Sequence, residues 1–396
     1  MKSNRQAGQA FVSVALSLVV LTGIVGLAID MGYLRYTKRR MQTAADGAAI
    51  AAASELNGGD YNAAALNDSK ANGFENGKDS VTVTAFPPAA PSPFAGTPNY
   101  IEVQVQQDAP TFFMRIFGVD HATLSATAVA RLGSSKGCVY SLGPVGGINV
   151  NATVNAPNCG VVDNALLTIG GGCLNAASIG VVLPLLGGCA TPAPVGGIDP
   201  SADPLAYLIQ PGVGVCTFPI QTVINDPNAG HTRTLNPGVY CGGIRIDPTN
   251  RERVVFAPGL YILSGGGLQV PVNNPTNLTG DGVTFYVTGA GSIQILGTGN
   301  VTLTAPADSP IAGIPGGILF FQDRTNGLNA TIENGTLLLT GALYFPSAPL
   351  TLGGNGNAPY LILVSQSIQF NGDLAIGTDY SSITGGSPIK SAVLVQ

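Results

Sequence analysis

PGVYCGGI at residues 237–244 and PGLYILSGGGL at residues 258–268 are the stretches that decide the fold. Their alignment sets Pro237 on Pro258, Gly238 on Gly259 and Tyr240 on Tyr261, a repeat of about 21 residues. Outward from this pair, GVTFYV (282–287), GGILFF (316–321), GALYF (341–345) and APYLILV (358–364) return at one or two times that interval. SIQIL, VTLTA, ATIEN, TLLLT and SIQFNG lie between them. From Gly133 onward the apolar runs are short and punctuated by Gly, Asn and Pro, and none has helical periodicity. A short repeat made only of strands and turns is the signature of a solenoid. Residues 133–396 therefore read as a right-handed parallel β-helix with Val, Ile, Leu and Phe turned inward. A β-sandwich is the alternative, because short strands at close spacing look similar, but it leaves the PGxY repeat unexplained.

Composition agrees with an elongated repeat protein. Of 396 residues only 10% are charged, with 54 Gly, 28 Pro, no Trp and a net charge of -5. Mean hydropathy is +0.31. The surface must be built largely from Gly, Ser, Thr, Asn and Ala, unlike that of an ordinary cytosolic enzyme. No basic face for nucleic acid exists outside residues 35–40. The six cysteines, Cys138, Cys159, Cys173, Cys189, Cys216 and Cys241, suit an oxidising compartment, with no CxxC or Cys/His spacing for zinc. One rung separates Cys138 from Cys159, and stacked strands about 4.8 Å apart bring such a pair into disulfide range. Cys216 with Cys241 is the next candidate pair and Cys173 with Cys189 the remainder, although the sequence permits other pairings and buried free thiols are the alternative.

At the other end of the chain, FVSVALSLVVLTGIVGLAI (11–29) carries no charge and has about the ~20 residues that a helix needs to cross a bilayer. Phe11, Leu16, Leu18, Leu21, Ile24, Leu27 and Ile29 are its lipid-facing candidates, and Asp30 ends it. The next residues include Tyr33, Tyr36, Arg35, Lys38, Arg39 and Arg40 in place of a small-residue cleavage site, and Ala-x-Ala appears only near 49–53. A retained anchor is expected. Residues 31–56 lack Pro and are rich in helix formers, so one helix running from Phe11 to Leu56 is expected to project beyond the lipid. A count of flanking Lys and Arg opposes an outward orientation, but large domains translocate largely regardless of nearby charge. The remainder of the chain is expected outside, on the periplasmic or extracellular side.

GQAFVSVALSLVVLTGIVGLAIDMGYLRYTKRRMQTAADGAAIAAA resembles the N-terminal segment of the TadE/TadG-like proteins of Flp (tight adherence) pilus systems. The shared order is a Gly-Gln start, an apolar helix, a Gly-Leu-Ala-Ile-Asp exit, a basic stretch and Gln-x-Ala-Ala-Asp-x-Ala-Ala. The resemblance implies a single-pass component of bacterial pilus assembly or secretion in the inner membrane. Pseudopilins of this group that are cut by prepilin peptidase carry a Glu five residues after the cleavage Gly. Counted from Gly8, that position is Ser13 here, so the retained TadG-like branch fits better.

Three regions follow: an anchoring and projecting helix (1–56), a small α+β pilin-like region (57–132) and the β-helix (133–396). In the middle region SVTVTAF (80–86), NYIEVQVQQ (99–107) and ATLSATAVARL (122–132) read as strands, and TFFMRIFG (111–118) as a short helix closed by Gly118.

Catalytic chemistry finds little support. The acids of the solenoid, among them Asp163, Asp203, Asp226, Asp323 and Asp379, are scattered beside turn residues, without the paired carboxylates that glycoside cleavage needs. Asp247, Arg251, Glu252 and Arg253 form the densest charge cluster and read as a solvated turn. DYSSI (379–383) approaches a metal-binding Asp-x-Ser-x-Ser string but has its second Ser one place early, and reads as a turn. No catalytic, cofactor or metal residues are assigned. The expected protein is a non-enzymatic structural component of Flp pilus assembly whose partners are the lipid bilayer and other pilus-assembly proteins. An anchored carbohydrate-binding or carbohydrate-cleaving β-helix with a surface glycan partner is the alternative, and an outward row of Tyr240, Tyr261, Tyr286, Tyr344 and Tyr360 would favour it.

Overall fold

The computed structural model describes residues 4–56, 60–134, 137–225, 231–247, 253–272, 274–309, 314–384 and 386–395. Asp226, Arg251 and Glu252 lie outside the described residues. The chain divides into two compact units, Met1–Gly133 with Lys390–Gln396, and Ser134–Ile389.

In the first unit, helix α1 spans Asn4–Ser54, 51 residues without a break, or about 76 Å at the helical rise. Its two halves have opposite surroundings. Phe11, Leu18 and Ile24 are exposed, whereas Met41, Ala44, Ala45, Ala48, Ala49, Ala52 and Ala53 are fully buried. These alanines recur at one helical face, and their small side chains let a sheet approach closely. The sheet consists of β1 (Val81–Phe86), β2 (Tyr100–Pro110), β3 (His121–Ser134) and a C-terminal strand, Lys390–Leu394, in that order. β1 with β2 and β2 with β3 are antiparallel. Period-two alternation turns Val81, Val83, Ile101, Val103, Val105, Ala126, Ala128 and Ala130 into the core that the helix covers. The sequence alone assigns Lys390–Leu394 to the solenoid, but here it extends the N-terminal sheet, and Val395 donates its N–H to the Val129 carbonyl. A helix absent from the sequence reading, α2 (Tyr61–Ala71), completes the unit. The Asp60 carboxylate caps it by accepting the N–H groups of Asn62 and Ala63.

The second unit is a parallel solenoid. Thr222–Ile224, Thr232–Leu235 and Gly238–Tyr240 make one rung, and Ile244–Ile246, Arg253–Phe256 and Gly259–Ser264 make the next. Each strand pairs in parallel with the strand three places on, so three ladders close around one core. Gly-rich corners permit the turns. A Cβ at Gly267, whose φ is +73°, would lie 1.9 Å from the Ser292 carbonyl oxygen of the neighbouring rung, so only glycine fits there.

Sequence spacing and ladder register differ by two residues. Pairing sets Tyr240 opposite Leu263 and Gly238 opposite Tyr261. Because side chains alternate with a period of two, the offset leaves both tyrosines on the inner face. Their rings stack at 6.0 Å. They belong to a column of rings inside the solenoid, Phe218, Tyr240, Tyr261, Phe285, Phe320 and Phe345, with successive centroids 4.2 to 6.2 Å apart.

Chain order is not stacking order. The rung of residues 361–376 is followed by the chain's first solenoid rung: Leu363 pairs with Val139, Ile368 with Ile148 and Leu374 with Val154. The chain thus enters in the middle of the stack, builds one end to residue 196, returns to the far end at Thr222 and climbs back. Across the seam Asn151 donates its side-chain amide to Asn371 at 3.0 Å, and the Thr153 N–H donates to Asp373 at 2.7 Å. The returning segment straps the outside of the barrel. Arg324 donates to the carbonyls of Leu205, Ala206 and Leu208 and to the Tyr344 hydroxyl, which donates to Asp203 at 2.6 Å. Beneath this strap Phe321 and Tyr344 are buried, with the Arg324 guanidinium over both rings.

Candidate functional site

The apolar half of α1 ends in a built joint. Asp30 is fully buried, and its carboxylate accepts the backbone N–H groups of Phe112 at 3.0 Å, Phe113 at 2.8 Å and Met114 at 2.6 Å. These donors open a single 3-10 turn, Met114–Phe117, which Gly118 closes in the left-handed region at φ +82°. A carboxylate so close to an apolar segment is costly unless its lone pairs are filled, and three converging amides fill them. The sequence marks Asp30 as the end of the anchor. Its partners, more than eighty residues on, leave no local signal.

Aromatic contacts tighten the joint. Tyr33 meets Phe112 edge-on at 5.3 Å, and the Phe113 side chain covers Gly26. On the same loop Ile116 and Phe117 remain 78% and 71% exposed. Beyond the joint Arg35, Lys38 and Arg39 are exposed, while the Arg40 guanidinium lies over Tyr36 and Phe74 at 5.9 and 5.6 Å. All seven apolar anchor candidates, Phe11, Leu16, Leu18, Leu21, Ile24, Leu27 and Ile29, are exposed.

The solenoid candidates are structural in their surroundings. Disulfides join Cys138 to Cys159, Cys173 to Cys189 and Cys216 to Cys241, with Cα separations of 5.5, 4.6 and 5.6 Å. Rung spacing points to Cys138–Cys159 and, with a longer turn, to Cys216–Cys241, whereas Cys173–Cys189 is the pair left over. Tyr240, Tyr261, Tyr286, Tyr344 and Tyr360 are all buried, so the outward aromatic row that would favour a glycan partner does not form from them. Asp163, Asp203, Asp323 and Asp379 each accept the N–H two residues ahead, the Asx-turn pattern. Burial pushes the Asp323 carboxyl up, but hydrogen bonds from Thr325, Tyr286 and Thr288 outweigh it and hold it below the usual range. In the charge cluster the described partner of Asp247 is Arg245, at 2.6 Å. Among the described residues no group of three or more His, Cys, Asp or Glu side chains converges to hold a metal ion.

Two family models match the chain. One, described as putative Flp pilus-assembly TadE/G-like, covers residues 8–55. The other, putative Tad-like Flp pilus-assembly, covers residues 40–130. Together they take in both halves of α1, the joint at Asp30 and the sheet up to β3, and they support a Tad-type pilus-assembly protein. No curated protein and no solved structure matches the chain. Among the described residues one helix is long and apolar enough to cross a membrane, and together with that match it supports a membrane-anchored protein.

Proposed function

We propose that this chain is a non-enzymatic, single-pass structural component of the Flp pilus apparatus. In this reading residues 11–29 stay in the cytoplasmic membrane, and the sheet and solenoid stand on its outer side, against other pilus-assembly proteins. The observation that carries it is the division of labour along α1, exposed and apolar up to Ile29 and then packed as the core of a folded unit. Cleavage at the Ala-x-Ala sites near 49–53 would cut through fully buried residues of that core. The helix is therefore built into the domain it anchors, and removing it would unfold that domain. Three disulfides support an outer, oxidising location. A rigid, disulfide-tied stack with few surface charges suits a spacer or docking scaffold better than a catalyst.

The test is the N-terminal residue and intact mass of the protein extracted from its native membrane. A chain that retains residues 11–29 and resists alkaline extraction supports the anchor. A chain that starts beyond residue 49, or that alkali releases, contradicts it. A start at Gln9 leaves the span intact but replaces the retained-anchor role with that of a processed fibre subunit.

A further inference from the structure

Among the described residues of the first unit outside α1, five of the seven exposed large apolar side chains fall in one loop, Phe112, Phe113, Ile116, Phe117 and Val119, the other two being Val393 and Leu394 of the C-terminal strand. A contiguous patch of this kind is unusual on a surface that faces water and marks a binding face. Its position says what covers it. Phe113 lies on Gly26 and Phe112 against Tyr33, while Asp30 holds the loop backbone between them. The loop is thereby fixed level with the last turn of the apolar segment, overlapping it by about 6 Å along the helix axis.

We propose that residues 112–119 form a second membrane contact, a loop that dips into the outer lipid interface beside the spanning helix. The occupant of the patch is the bilayer itself. Continuity is one argument, because Phe113 on Gly26 and Phe112 on Tyr33 bring the exposed Ile116 and Phe117 of the same loop to the end of the apolar surface of residues 11–29. Charge pattern is the other. Arg35, Lys38 and Arg39, one to three turns beyond Asp30, are exposed where headgroup phosphates would lie, and Arg115 within the loop is exposed beside Asp120 at 4.0 Å. An interfacial element typically sinks about 5–10 Å into the headgroup and acyl boundary, which agrees with the overlap at Gly26. Phe and Ile are the kind of side chain that the apolar face of such an element inserts. The loop would thus fix how far the helix sinks and hold the folded unit upright against the surface, with Asp30 as the positioning residue.

This inference rests on the spanning role of residues 11–29, and its test separates the two. The protein contains no tryptophan, so Phe117→Trp and, separately, Ile116→Trp give a single fluorophore at an exposed position that packing does not constrain. Leu18→Trp reports on the span. Each full-length variant is reconstituted into phosphatidylethanolamine and phosphatidylglycerol vesicles containing lipids brominated at a chosen acyl depth. The expected result is loss of most emission from Leu18→Trp with deep bromines, and from Phe117→Trp and Ile116→Trp with bromines near the glycerol end. Quenched Leu18→Trp alongside unquenched, water-like emission from both loop variants would overturn the loop contact while the span stands, and the patch would then face a protein. Unquenched emission from all three would overturn the span and, with it, this inference.

Discussion

The ring of Phe113 lies over Gly26: a Cβ at position 26 would come within 2.6 Å of the Phe113 Cγ. Eighty-seven residues apart in the chain, the two make the joint between the apolar helix and the loop after β2. Gly26→Val should force Phe113 aside and loosen the loop, at about 1–3 kcal/mol. Faster amide exchange at residues 112–114, with unchanged exchange in β2, is the expected observation.

Asp30→Ala should leave three inward amides without an acceptor and cost about 2–4 kcal/mol locally. Asp30→Asn should cost less, because its amide oxygen still accepts. Limited proteolysis of the full chain in detergent checks the order, with cleavage near Arg115 rising from wild type to Asn to Ala. Equal protection in all three would deny the carboxylate its clamping role.

Arg324 ties the returning strap to the solenoid through three carbonyls and the Tyr344 hydroxyl. Arg324→Ala should release residues 199–209 to protease while the ladders stay folded, at about 2–4 kcal/mol. Arg324→Lys should rescue little, since an ammonium cannot reproduce the planar fork.

Much of this architecture was legible in the sequence, and the exceptions share a cause. The helix, the solenoid and the Cys138–Cys159 pair announce themselves through period: an uninterrupted apolar run, a repeated PGxY and one-rung Cys spacing. Entry at the middle of the stack leaves no period, because Val139 meets Leu363 only after the chain has gone to both ends. Lys390–Leu394 looks like any other solenoid strand until β3 offers it an edge. The helix Tyr61–Ala71 was hidden by its Asn and Gly surroundings, although Asp60 before an Ala run is a capping signal. Asp30 was visible as a residue and invisible as an acceptor.

Alkali should find the buried tyrosines. Burial pushes Tyr240, Tyr286 and Tyr360 up from the ordinary 10.0 to about 12. The folded state keeps these protons longer than the unfolded chain does. Stability from this source is therefore full below pH 10 and is lost as pH rises from there through about 12. Phenolate absorbance from these tyrosines should appear together with loss of the β circular dichroism. Full phenolate ionisation near pH 10 with the dichroism intact would contradict their burial.

Protease accessibility of the native protein in spheroplasts whose inner membrane is intact reports which side of that membrane the sheet and solenoid occupy. If they stand outside, added protease degrades or clips the chain after residue 31, leaving a membrane-bound fragment that contains residues 11–29. Full protection in intact spheroplasts, lost only when the inner membrane is ruptured, would put the sheet and solenoid in the cytoplasm and contradict that placement.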